Sequence, residues 1–155
     1  MPSLADQLTS PGTRERVVDA CCALIDGEVA RKRGLTGAAV KASFAVVTRV
    51  KPGFVRHVVD TLLPEFAEAL EPFYRESKAE VEGGGASGSV GEVFAAKVAS
   101  RKGEASEALL GVTDRRIGEA RSSLKRAYGK LRPNARGHVE DALPGLIAAL
   151  QPHVA

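Results

Sequence analysis

Aromatic residues make up only 5% of this 155-residue chain, and its two cysteines, Cys21 and Cys22, are neighbours in the stretch VVDACCALID. No run of about 18 apolar residues occurs anywhere. Each shortage removes a class of protein. Neighbours on a helix point about 100° apart, so the two thiols are poorly placed to bridge or to share a metal, and they read as small buried hydrophobes. Without a long apolar run there is no candidate membrane-spanning helix. The opening MPSLADQLTS has no basic region followed by an apolar stretch, so a reduced cytoplasm is the expected setting. The patterns GxxxxGK[ST], paired CxxC, HExxH and GxSxG are also missing, and with them the usual signatures of nucleotide, zinc and acyl chemistry. Gly83, Gly85 and Gly88 fit GxGxxG formally. The residues ahead of them, YRESKAEVE, are charged and helical where a dinucleotide site needs a buried strand, so they read as a linker.

What is present points to helices. The chain is 44% hydrophobic and 26% charged, a balance suited to one compact domain over residues 1–155 without a staple. Val17, Val18, Cys21, Leu24, Ile25 and Val29 recur at helical spacing and predict a helix A, with Thr13 as its cap and Gly34 as its stop. Thr36 is placed to cap a short basic helix B, whose Val40, Phe44, Val47 and Val50 lie on one stripe. A long helix C follows, with Val55, Val58, Val59, Leu62, Phe66, Leu70 and Phe73 at helical spacing. Pro64 inside it predicts a kink or a division. EGGGASGSVG at 82–91 predicts a flexible link or a long exposed loop, and SVGE predicts a capping box opening one further helix at 92–103.

The second half repeats the first. Leu24, Asp26 and Val29 find counterparts in Val112, Asp114 and Ile117, and Val40, Lys41 and Phe44 in Leu124, Lys125 and Tyr128. The strongest match sets RHVVDTLLP at 56–64 against GHVEDALP at 137–144. The expected fold is therefore all-α, with about seven helices: a three-helix unit at 11–81, the Gly/Ser linker, the extra helix, and a second copy of the unit at 104–155. The two triplets are expected to pack about a pseudo-twofold as one bundle-like domain. The runs GLTGAAVKASFAVVTRV, VVDTLLPEFAEALEPF and LKRAYGKLRPNARGHVEDALP resemble an uncharacterised bacterial family of short all-helical proteins, a domain of unknown function. The resemblance implies a cytoplasmic helical protein and transfers no site residue.

Two groups of residues are candidates for function. His57 and Asp60 share a helix face, as do His138 and Asp141, and a pseudo-twofold could bring the four together as a metal site. The competing reading makes each pair a half-exposed first-turn feature of its helix. The basic blocks carry more. Between Val29 and Val59 there are seven basic residues and no acid, and between Arg115 and His138 eight basic residues and one acid, Glu119. Lys41, Arg49, Lys51, Arg56, Lys125, Arg126, Lys130, Arg132 and Arg136 could merge into a surface for nucleic acid or an anionic membrane. Alternatively, the acidic helix C pairs with the basic helix B, while Glu65, Glu68 and Glu71 form a solvated stripe. No cofactor and no catalytic residue is indicated. The expected role is a non-enzymatic interaction or adaptor module that binds a protein partner or itself, with an anionic-surface binder as the alternative.

Overall fold

A computed structural model describes residues 2–155, the side chain of Thr36 excepted. It contains seven α-helices: α1 (Leu4–Leu8), α2 (Thr13–Arg31), α3 (Gly34–Val50), α4 (Phe54–Glu82), α5 (Val90–Ser100), α6 (Lys102–Ile117) and α7 (Ser122–Leu150), closed by a 3-10 turn, Gln151–His153. No strand occurs among the described residues.

The helix count matches expectation but its partition differs. α1 is a single turn, too short for a periodic pattern, yet Leu4 and Leu8 are among the most buried side chains. Ser3 and Asp6 cap it reciprocally, and the Leu4 N–H donates to the Glu71 carboxylate at 2.8 Å, fastening α1 to α4. In the second half, the expected counterparts of helices B and C are one continuous helix, α7, which runs through Pro133 and Pro144. Pro52 in the first half sits instead in the turn between α3 and α4.

α4 likewise runs unbroken through Pro64 and Pro72, so the expected division at Pro64 does not occur. A proline leaves the carbonyl four residues earlier without its helical donor. Here that carbonyl belongs to Asp60, and the Arg14 guanidinium donates to it at 2.6 Å while also binding the Asp60 side chain at 2.8 Å. The broken rung is thus replaced from α2.

Two further boundaries differ. Gly12, at φ 84°, precedes α2, and the first-turn donors of Thr13 and Arg14 go to the Ser10 carbonyl, so Thr13 begins the helix rather than capping it. α2 ends at Arg31, and Gly34, at φ 76°, opens α3 instead of stopping helix A. Thr36 falls inside α3, and its capping role lies outside the described residues. The glycine stretch is a tight turn. The Gly83, Gly84 and Gly85 N–H groups donate to the Ala79, Val81 and Glu80 carbonyls, and the Ser89–Glu92 capping box then starts α5 as expected.

Ion pairs fix the directions of the long helices. Arg14–Asp60 and Arg56–Asp19 set α2 antiparallel to α4. Glu65–Arg116 and Glu76–Arg101 set α6 antiparallel to α4, and Asp114–Arg132 with Glu107–Arg136 set α7 antiparallel to α6. α7 also packs on α2, closing a ring of four helices in which α4 and α7 are each flanked by α2 and α6. The core between them holds Val17, Val18, Leu70, Phe94, Val112 and Leu143. The Tyr74 hydroxyl donates to the Ala155 carbonyl at 2.8 Å, tying the chain end to α4.

The acidic face of α4 therefore meets α5 and α6, not the basic helix B. Lys97 binds Glu80, Arg101 binds Glu76 and Arg116 binds Glu65. Of the expected solvated stripe, only Glu68 is exposed; Glu65 and Glu71 are drawn into contacts.

Gly91 is buried in α5, where a Cβ would lie 3.0 Å from the Val154 carbonyl oxygen and 3.1 Å from that of Gln151. Gly91→Ala is expected to push the 3-10 turn off α5 and to lower the melting midpoint by several degrees, at a cost of about 1–3 kcal/mol. Thermal denaturation followed by circular dichroism checks this, and an unchanged midpoint would show that the turn is not held there.

A two-chambered apolar cavity under helix α3

α3 is assembled differently from the other long helices. Among its described side chains, only Val40 belongs to the buried hydrophobic core. Its inner face, Ser43, Phe44 and Val47, covers a cavity of about 510 Å³. The start of α4 (Phe54, Val55, Val58, Val59, Leu62), the end of α6 (Ile117) and the start of α7 (Leu124, Ala127, Leu131) complete its walls. The polar residues in the lining are Ser43, His57, Thr61, Thr113, Arg116 and Tyr128.

The cavity does not end at the bundle surface. Ile25, Val59, Phe66 and Thr113 also line a second chamber of about 260 Å³, deeper among α1, α2, α4, α6 and α7. Its remaining walls include Leu8, Cys21, Leu63, Leu70, Leu109, Val139 and Leu146. The two chambers thus share wall residues, one lying under α3 and the other nearer the bundle core.

Half of the polar lining is occupied within the protein. The Tyr128 hydroxyl bonds Thr113 at 2.8 Å and also meets Asp114, which Arg132 grips at 2.9 and 3.1 Å. The Arg132 guanidinium holds the Asp114 carboxyl below the ordinary carboxylate range, and Tyr128 adds to the effect. Burial, then Asp114, raises the Tyr128 phenol. Arg116 is engaged by Glu65 at 2.6 Å and Glu119 at 3.2 Å. Lys51 is different. Its ammonium stands 5.5 Å from the centre of the Phe54 ring, itself part of the cavity wall, and takes part in no ion pair among the described residues.

The candidate residues read from the sequence divide accordingly. Of the nine basic residues, Arg56 pairs with Asp19, Arg132 with Asp114, and Arg136 with Glu107 and Glu140. Lys41, Arg49, Lys51, Lys125, Arg126 and Lys130 are exposed, and none of the ion pairs among the described residues includes them. They lie on α3, its following turn and the start of α7, the elements that wall the cavity. The His and Asp pairs do not form a metal centre: no group of three or more His, Cys, Asp or Glu among the described residues could hold an ion. Asp60 is held by Arg14 and Asp141 lies 3.6 Å from Lys32, while His57 is exposed beside the cavity. The cavity itself was not read from the sequence. The available signal was helix B, apolar on more than one face, together with small residues such as Ala120 and Ala127 where a packed bundle would use large ones.

Residues 4–154 match the model of the Family of unknown function (DUF6918). The chain belongs to this family. No curated protein and no solved structure matches it. Membership in DUF6918 agrees with the resemblance seen in the sequence and assigns no functional residue, so the case for a site rests on geometry.

The cysteines are free thiols, Cys21 buried and Cys22 partly so. Burial pushes the Cys21 thiol up to about 11, with Cys22 adding to the shift, and Cys22 is raised by burial as well. No helix is long and apolar enough to cross a membrane among the described residues.

His138 on α7 is partly buried, and its Nε2 has no hydrogen-bond partner. Burial first, then nearby Lys32, lowers its pKa below 6.5, with Asp141 opposing. A base lowered in the folded state contributes stability above its unfolded pKa, and that stability is lost as pH falls through the folded value. The melting midpoint is therefore expected to fall as pH drops below about 6.5, and His138→Gln should flatten this part of the profile. An identical slope in the variant would remove His138 from the account.

Proposed function

We propose that this chain is a non-catalytic binding protein for a single-chain amphipathic lipid of the fatty-acid class. The observation that carries the reading is the two-chambered apolar cavity roofed by α3. Its outer chamber, about 510 Å³, falls in the range of roughly 300–1,000 Å³ typical of small-molecule sites. Its lining, aliphatic and aromatic side chains from α3, α4, α6 and α7, suits an acyl chain. Thr113, Arg116 and Tyr128 are already paired, which leaves Ser43, His57 and Thr61 as the polar groups of an otherwise apolar lining and disfavours a strongly polar substrate. Lys51 at the Phe54 edge supplies a cation for a carboxylate or phosphate head group.

The test is a titration with saturated fatty acids of increasing length, read by displacement of a fluorescent fatty acid. Affinity is expected to rise roughly fourfold per added methylene, as apolar transfer requires, and to level once the chambers are filled. Ala127→Phe, which fills the outer chamber, should weaken binding of the longest chains while leaving the melting midpoint unchanged or raised. Binding that is absent or independent of chain length would overturn the reading.

A further inference from the structure

We infer that the outer face of α3 docks on an anionic lipid bilayer. This deepens the lipid-binding proposal and rests on it for its biological sense, though the surface evidence is separate. At 3.6 residues per turn, Leu35, Ala39, Ala42, Val46 and Val50 fall within about 80° of one another around the helix. All five are exposed, Leu35 at 93%, Val46 at 54% and Val50 at 78%. The opposite face, Phe44 and Val47, covers the cavity. A helix apolar on both faces belongs in a core or against a membrane, and α3 has protein on one side only.

Charge selects what covers the other side. Arg49 borders the apolar stripe, Lys41 lies about 80° beyond Arg49 on the same side of the helix, and Lys51 follows in the turn; no acid occurs from Val29 to Val59. Lys41, Arg49 and Lys51 are exposed and enter none of the ion pairs among the described residues, whereas Glu65, Glu76 and Glu80 of α4 are met by cations of α5, α6 and the residue between them. A second copy meeting this face through its own α3 would set cations against cations. Nucleic acid would use the charges but leave Leu35, Val46 and Val50 in water. An anionic bilayer satisfies both features, since an interfacial helix buries its apolar stripe at the acyl boundary while flanking lysines and arginines meet the head groups. Docking there sets the cavity roof against the source of its ligand.

The experiment is flotation of the full chain with vesicles of phosphatidylcholine alone and of phosphatidylcholine mixed equally with phosphatidylglycerol. The expected result is partition onto the anionic vesicles only. Val46→Asp should weaken it roughly tenfold or more, and the double change Lys41→Gln, Arg49→Gln roughly thirtyfold. Both variants change outward side chains, so their fatty-acid titration should match the parent. Absence of partition, or partition unaffected by Val46→Asp, would overturn the inference. So would self-association abolished by Val46→Asp without vesicle binding, or duplex DNA binding as tight as vesicle binding and unmoved by that change. Vesicle binding without fatty-acid binding would overturn the cavity reading and leave this one standing.

Discussion

The continuity of α4 is the constraint on which the rest of the structure depends. A helix of 29 residues spans roughly 43 Å at 1.5 Å per residue, and α1, α2, α5 and α6 all pack along it. It crosses two prolines, each of which removes a rung of its hydrogen-bond ladder. At the first, Arg14 replaces the missing donor, so the same contact that repairs α4 also sets where α2 lies. On its other side the carboxylates Glu65, Glu76 and Glu80 are met in order by Arg116, Arg101 and Lys97. These pairs are largely exposed and individually weak. Their value is directional, because they hold α5 and α6 as one broken rod along α4 in a single register.

That arrangement explains why α3 stands apart. Glu65, Glu76 and Glu80 of α4 are taken by α5, α6 and the residue between them, Asp60 by Arg14 of α2 and Glu71 by the start of α1, and no ion pair among the described residues reaches Lys41, Arg49 or Lys51. α3 is left with apolar contacts to α2, α4 and α7 and no charged partner. Because it bridges over the starts of α4 and α7 instead of filling the space between them, a cavity persists beneath it. The charge segregation visible in the sequence is thus real, but its complement lies elsewhere in the chain than helix B.

Much of the architecture was legible in the residues themselves. Periodicity located α2, α3 and α4, and the Ser89–Glu92 pair located α5, because each signal is local, while α6 was found through its likeness to helix A. The misreadings have a common cause in interactions between distant segments. Pro64 looks like a break until Arg14 is placed beside Asp60, forty-six residues away. Pro52 and Pro133 look equivalent in sequence, yet one lies in a turn and the other inside α7. α1 is invisible to periodicity because its helix depends on Glu71 and on burial of Leu4 and Leu8. For the site, the pairing of His57 with Asp60 and of His138 with Asp141 is plain in the chain, but whether four side chains converge depends on helix rotation. The cavity is harder still, since it is a property of what fails to fill a volume enclosed by several helices.

The connections of α3 bear on how such a roof can work. Gly34 at φ 76° and Gly53 at φ 81° sit at its two ends, positions where left-handed backbone is freely adopted only by glycine. α3 also lacks a side-chain cap at its start, and its inner face meets a cavity rather than a filled core. Elements with few buried apolar contacts open at the lowest free energy, so α3 is the helix whose displacement disturbs the four-helix ring least. The ring of α2, α4, α6 and α7 packs without it, each helix of the ring contacting two others of the four.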